Sequence, residues 1–331
     1  MNIEKLPSGN YRITQMVNGK RYRLTVDHKP TKREAEELIR EIVSRKHKNI
    51  CDMTFEEAAL EYISSKSNIL SPSTIRSYYG ILKQLTPSFK ELKIKDVEQI
   101  HVQHEINVCS KDKSPKTARN YHGFISPVIE MFNPLLSLHT SLPQKQKNDD
   151  DIIPTDEEVR AVIEASKSSR YYIPFMLAAC GLRRSEICAL TLDDLDGNML
   201  HIHRAKVLDT DDRFVIKEYP KTTDSNRRIY LPDVLVKEIN NAGLIYNGHP
   251  DKILENLCRF QKKLNIKHFK LHAFRKYYAS MAHALGIPDK YIMKYGGWST
   301  DNVLKDVYMK TLRDREQEEQ KKATDHLSSL F

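Results

Sequence analysis

The chain has 331 residues, with 53 Lys and Arg against 44 Asp and Glu, a net charge of +9 and a pI near 9.1. That length fits about two or three domains, each able to bury its own core, and the charge balance suits a partner of polyanions such as nucleic acid. The five cysteines are an odd number with no CxxC pair, which excludes a disulfide framework and a zinc site; the longest apolar run, Tyr171 to Leu182, is too short to cross a bilayer and the N-terminus lacks a signal peptide's apolar stretch, so a soluble cytoplasmic protein is expected.

The positive excess is uneven. Residues 1–50 carry twelve Lys and Arg against six Asp and Glu, residues 51–150 balance at twelve each, and residues 151–331 hold twenty-nine against twenty-six. Two alternating runs, Tyr11 to Val17 and Lys20 to Val26, flank Asn18-Gly19, the strongest short-range signal for a β-hairpin. Thr31 followed by Glu34 forms a capping box for a helix to about Lys48. Arg12, Lys20, Arg21 and Arg23 cluster on or near the hairpin, where they either lie in a DNA groove or keep a face solvated.

From Thr54 the pattern turns helical. Thr54 with Glu57 opens one helix, Ser71-Pro72 a second, and further helices are expected over Lys95 to Val108 and Ser114 to Phe132. Lys111, Lys113, Lys116 and Arg119 either grip phosphates there or keep a helix start soluble. Residues 143–151 are polar and lie between patterned regions, as an exposed linker does. Beyond them the sequence predicts a capped helix from Thr155, an apolar helix from Tyr171 to Leu182, and strands near Met199–Leu208, Arg213–Tyr219 and Arg227–Leu231. Helices and a charged tail from Thr311 follow.

The chemistry-bearing residues are spread through this last region. Arg183 follows the apolar helix and a Gly-Leu break; Glu186, three residues on, is placed to orient its guanidinium or to form a plain surface ion pair. Lys221 falls between the second and third strands, on what reads as a hairpin turn, from which a flexible ammonium can protonate a departing oxygen. If Leu271 to His283 is helical, His272 and Arg275 share one side of it and bring an imidazole and a second guanidinium to one place, or His272 is a satisfied histidine at a helix start. Trp298, the only tryptophan, follows Gly296-Gly297, and is either an indole donor to a phosphate oxygen or a core residue. Tyr308 supplies a phenol able to attack phosphorus.

In this order and spacing, Gly181-Leu182-Arg183-Arg184-Ser185-Glu186, Pro220-Lys221-Thr222, His272-Ala273-Phe274-Arg275, Gly296-Gly297-Trp298 and Tyr308 resemble the tyrosine recombinase (phage integrase) family. The resemblance implies an α+β multidomain, mostly helical fold. Residues 1–50 would be an arm-type DNA-binding domain with a three-stranded sheet and a helix, 52–142 a helical core-binding domain of SAM-like type, 143–151 a linker, and 152–331 a catalytic domain with a small antiparallel sheet and a C-terminal tail. It further implies that Arg183 and Arg275 clamp a DNA phosphate, Glu186 supports them, Lys221 is the general acid, His272 assists proton transfer and Tyr308 is the nucleophile. Most members have Leu-Gly-His where this chain has Gly296-Gly297-Trp298, with their tyrosine often one residue nearer, although some active members also carry Trp.

The implied activity is site-specific recombination through a 3′-phosphotyrosine, in an integrase or excision enzyme of a phage or integrative conjugative element acting in a bacterial cytoplasm. No cofactor is expected. The implied partners are double-stranded DNA at core and arm attachment sites, three further copies in a tetramer, an excisionase and a host DNA-bending protein, with no membrane. Residues 311–331 would either dock on a neighbouring subunit or form a frayed tail. A Xer-type resolvase, or a catalytically silent DNA-binding regulator on the same fold, are the alternatives.

Overall fold

The computed structural model describes residues 1–17, 20–48, 52–144, 152–219, 224–300, 304–305, 321, 324–325 and 327–328. The Asn18-Gly19 turn, residues 145–151 of the expected linker, Lys221, Tyr308 and most of the expected tail lie outside the described residues. The chain divides into two compact units: Met1–Lys147 with Asp209–Asp211, and Asn148–Leu208 with Asp212–Phe331.

The first unit begins with strands β1 (Asn2–Lys5), β2 (Tyr11–Val17) and β3 (Lys20–Val26), paired antiparallel in that order. Period-2 alternation turns Ile13 and Tyr22 inward, where they pack with Ala35 and Ile39 of α1 (Lys32–Lys48) and with Leu135. The expected capping box opens α1, since Thr31 and Glu34 exchange backbone-to-side-chain hydrogen bonds. Five helices follow: α2 (Phe55–Lys66), α3 (Pro72–Gln84), α4 (Pro87–Glu91), α5 (Gln99–Asp112) and α6 (Pro115–Phe132).

Their starts are locally encoded. Thr54 and Glu57 cap α2 reciprocally, Ser71 and Ser114 precede prolines at the first turns of α3 and α6, and the Thr86 hydroxyl accepts from Phe89 N at the start of α4. The helix expected from Lys95 instead begins at Gln99, because residues Ile94–Asp96 form a separate 3₁₀ turn. Phe55 against Phe89 and Tyr78 against Phe124, with ring centroids 4.6 and 4.8 Å apart, centre the core. Each such side chain stabilises by about 1.5–3 kcal/mol when fully buried.

The second unit contains α7 (Asp156–Ser166), α8 (Tyr172–Ala179), α9 (Arg184–Ile187), β4 (Leu195–Asp196), β5 (Met199–Ile202), β6 (Arg204–Leu208), β7 (Phe214–Glu218), β8 (Arg227–Tyr230), α10 (Asp233–Ala242), α11 (Pro250–Leu264), α12 (His272–Ala284) and α13 (Asp289–Gly296). Two sequence expectations need correction. Met199–Leu208 is not one strand: it divides at His203, whose ring bonds Asp194 through Nε2 at 2.9 Å and Glu218 through Nδ1 at 3.0 Å. Nor do the strands form one sheet, since β4, β5 and β8 pair in that order while β6 and β7 form a separate hairpin. Strands β7 and β8, on either side of Lys221, therefore lie in different sheets and do not pair with one another as a hairpin.

Candidate active site

Helix α8 is apolar on all sides because it runs through the core, with Phe175 stacked on Phe274 at 6.3 Å. It stops at Gly181, whose φ of +88° suits glycine and where a Cβ would lie 2.9 Å from the Tyr278 ring. This break turns the chain so that Arg183 caps α9. Its backbone N–H donates to Glu186 Oε2 at 2.9 Å, and its guanidinium donates to Glu186 Oε1 at 2.7 Å and to the Gly297 carbonyl at 2.8 Å.

Glu186 is fully buried, not part of a surface ion pair. A second guanidinium, Arg227, grips it fork to fork, with Nη1 to Oε1 at 3.0 Å and Nη2 to Oε2 at 2.9 Å. Four donors thus fill the acceptor sites of one carboxylate. Burial alone would push Glu186 up; hydrogen bonds and charge from Arg227, then the charge of Arg183, outweigh it and hold the carboxyl below its ordinary range.

Arg275 completes the cluster from α12. It is 1% exposed, donates to the Gly181 carbonyl at 2.6 Å and to the Gly297 carbonyl at 3.5 Å, and its Nε is buried without a partner among the described residues. The Trp298 ring lies 4.1 Å from the guanidinium carbon in cation–π contact. Burial, then the like charge of Arg183, push Arg275 down to about 9, which still leaves it protonated at neutral pH. The Trp298 indole is 8% exposed, so its place is that of a core residue covering Arg275.

Gly296 and Gly297 make this packing possible. A Cβ on Gly296 would lie 2.0 Å from the Trp298 ring, and Gly297 turns at φ +67° with its carbonyl shared by Arg183 and Arg275. Among the described residues, three guanidiniums against one carboxylate leave two positive charges, and Arg183 is 32% exposed, which opens the cluster to solvent. Such a site suits a phosphodiester: a buried cation with an unfilled donor gains most from an arriving anion.

The other expected residues are placed as follows. His272 occupies the first position of α12 and is exposed, whereas Arg275 is buried, so the side they share runs from solvent into the core. Lys221 and Tyr308 lie outside the described residues. Arg184 pairs with Asp251 at the surface. In the N-terminal sheet, Thr14 pairs with Arg23 and Met16 with Arg21, so Arg12, Arg21 and Arg23 alternate onto the face opposite Ile13 and Tyr22. Lys20 begins β3 opposite Val17, at the opposite strand parity to Arg21 and Arg23.

Lys111 and Lys116 are exposed. Lys113 donates to Gln84 at 2.6 Å and lies over the Tyr121 ring, and Arg119 donates to the Pro143 carbonyl at 2.9 Å, so both also hold their own unit together.

Sequence reasoning passed over two residues. Arg227 precedes Ile229 at the same strand parity, the signal that its side chain is buried. Tyr219, whose phenol is raised by burial and then by the charge of Glu186, also lies in the field of the three arginines.

Residues 54–110 match the family model described as Phage integrase, N-terminal SAM-like domain. Over 140 residues the chain is 30% identical to a tyrosine recombinase of Pseudothermotoga lettingae, a match covering 38% of this chain and 48% of that protein, so the chain spans about half the relative's length. Among solved structures, the Tn1549 transposon integrase in complex with transposon right end DNA superposes with a TM-score of 0.62 at 16% identity, covering 80% of this chain and 99% of that one. A lambda integrase dimer bound to a core site gives 0.59 at 14% identity, covering 92% and 94%. A lambda integrase tetramer bound to a Holliday junction gives 0.58 at 15%, covering 91% and 96%. These likenesses give the fold of both units: mostly helical, with small antiparallel sheets.

Proposed function

We propose that the chain is a member of the tyrosine recombinase family, to whose SAM-like domain residues 54–110 and to one of whose members 140 residues are similar, and that it is a site-specific DNA recombinase of a phage or integrative conjugative element. The observation that carries the reading is the buried cluster of Arg183, Glu186, Arg227 and Arg275, which among the described residues has a surplus of positive charge and leaves the Nε of Arg275 without a partner. Arg183 and Arg275 neutralise the non-bridging oxygens of the scissile phosphate, which gain charge as the nucleophile approaches.

Tyr308 supplies that nucleophile. Its phenol gives up its proton with the help of His272 as the oxygen bonds to phosphorus, the bond to the 5′ oxygen breaks, and Lys221 gives that oxygen a proton, leaving a 3′-phosphotyrosine and a 5′ hydroxyl. His272 assists proton transfer. The roles of Lys221 and Tyr308 rest on their sequence contexts, Pro220-Lys221-Thr222 and Val307-Tyr308-Met309-Lys310. One ester is exchanged for another of similar energy, so the 5′ hydroxyl of a partner strand reverses the step without a nucleotide cofactor.

Residues 1–50 serve as the arm-binding domain, residues 52–142 as the core-binding domain and residues 152–331 as the catalytic domain. Arg12, Lys20, Arg21 and Arg23 meet arm-site DNA; Lys111, Lys113, Lys116 and Arg119 meet core-site phosphates. Four copies assemble on DNA in the bacterial cytoplasm, with an excisionase and a host DNA-bending protein as accessory partners. Among the described residues no helix is long and apolar enough to cross a membrane.

The test is a nicked suicide duplex of the core site, drawn first from the DNA flanking the gene, incubated with the full chain or with Tyr308→Phe and resolved on a denaturing gel. A covalent adduct formed only by the wild type is the expected result. Tight binding without an adduct removes the catalytic reading and leaves a DNA-binding regulator.

A further inference from the structure

Arg227 is the least accessible of the cationic groups that meet Glu186, with a side chain 3% exposed against 32% for Arg183. It begins β8 opposite Ile202, and strand alternation aligns it with buried Ile229, so its side chain points into the unit. Each of its guanidinium nitrogens is engaged: Nε donates to the Tyr295 carbonyl at 2.7 Å, Nη1 to Glu186 Oε1 and the Ser225 carbonyl, and Nη2 to Glu186 Oε2. A guanidinium so committed does not serve as a phosphate ligand; its effect runs through its partners.

Those partners are the parts of the site that must keep their charge and place. Were Glu186 paired with Arg183 alone, the buried carboxylate would cancel the charge that Arg183 brings to the phosphate. With Arg227 bound fork to fork, carboxylate and guanidinium neutralise one another, and Glu186 orients Arg183 without consuming its charge. The Tyr295 carbonyl held by Arg227 lies in the last turn of α13, two residues before Gly297, whose carbonyl accepts from both Arg183 and Arg275. A Cβ on Gly297 would lie 3.0 Å from Arg227 Nη1, tighter than an ordinary contact.

We propose that Arg227 is a positioning residue for strand cleavage, which neutralises Glu186 so that Arg183 and Arg275 meet the scissile phosphate with their full charge. The inference rests on the strand-cleavage reading above. It attaches to no atom of the DNA, so its signature is a dependence on the charge of the phosphate.

The experiment measures single-turnover cleavage by the full chain on two nicked core-site duplexes, one with an ordinary scissile phosphate and one with an uncharged methylphosphonate there. Arg227→Gln is expected to cleave the ordinary duplex about 100-fold more slowly, the scale of losing one transition-state stabiliser, while binding it within about threefold of wild type. On the methylphosphonate, which makes less demand on the charge of Arg183, the deficit shrinks to under about tenfold. Adding Glu186→Gln to Arg227→Gln removes the carboxylate left uncompensated and restores at least about tenfold of the lost rate.

Equal losses on both substrates, or a double variant no faster than Arg227→Gln, would overturn the proposal and leave Arg227 a purely structural residue. Should Arg227→Gln unfold, Arg227→Lys, which keeps the charge without the fork, gives the second reading: a smaller deficit with the same substrate dependence supports it, and no dependence overturns it. A wild type that forms no adduct on the ordinary duplex sinks the cleavage reading, and this inference with it. A wild type that does, beside variants that match its rate, sinks the inference alone.

Discussion

Gly296→Ala probes the packing around Arg275 through a built-in reporter, because Trp298 is the only tryptophan in the chain. The new methyl would lie 2.0 Å from Cζ3 and 2.2 Å from Cε3 of that indole, far inside van der Waals contact, so the ring must move. Overpacking of this severity costs about 3 kcal/mol, and displacing the ring from Arg275 forfeits about 1 kcal/mol of cation–π attraction. Opposing this, alanine gains up to about 1 kcal/mol over glycine in a helix, less at the last position of α13 than in an interior. The net loss is therefore about 3 kcal/mol, or roughly 6–12 °C in the melting temperature of a unit of this size.

Thermal unfolding followed by tryptophan emission measures both effects at once. The variant is expected to melt earlier and, already at low temperature, to emit at longer wavelength as the ring leaves its buried place. An unchanged emission maximum together with an unchanged midpoint would refute the stacked arrangement of Trp298 on Arg275.

Gly80 stands in contrast, within α3 and with nothing inside 4 Å of where a methyl would sit, so Gly80→Ala should raise stability by about 0.5–1 kcal/mol in urea titration. The thiols of Cys180 and Cys188, pushed by burial to about 12 and about 11, stay protonated at pH 8, and iodoacetamide should label neither until urea unfolds the chain, as peptide mass spectrometry would read. Combined Arg12→Ala, Arg21→Ala and Arg23→Ala should flatten the slope of log binding constant against log salt on arm-site DNA by about 2–3 if each arginine meets one phosphate; an unchanged slope would detach this face from DNA. Glu186→Gln should cost about 3 kcal/mol near pH 7 by leaving Arg227 buried without its counter-charge. Because folding depresses the pKa of Glu186, its stabilisation is present above the unfolded value and lost as pH falls through the folded one, so wild type and variant should converge on acidification, and a constant gap would refute the pairing.

Helix starts were legible because their chemistry is local. Thr54 with Glu57 and Thr155 with Glu158 satisfy one another within four residues, and each pair closes the hydrogen bonds that the sequence predicts. The division of Met199–Leu208 was not legible, for its cause is remote: His203 is held by Asp194 from one side and by Glu218 of β7 from the other, and no periodicity within the segment records those partners. The same holds for the segment around Lys221, which reads as a hairpin turn only if β7 and β8 are assumed to pair.

Within the site, what could be read was what a helix brings together. Arg183 and Glu186 are three residues apart, and the capping geometry of α9 joins them. The contacts that decide the charge of the cluster span longer gaps, 41 residues from Glu186 to Arg227 and 114 from Arg183 to the Gly297 carbonyl. A backbone carbonyl leaves no mark in residue identity, so the role of Gly297 shows only in the fold. Arg227 did leave a mark, an arginine at the parity of Ile229 on a strand whose other face is polar, and a cation written into a buried position implies a carboxylate waiting for it. Since Glu186 is that carboxylate, the charge free to meet a phosphate is set less by the arginines that face it than by the one that does not.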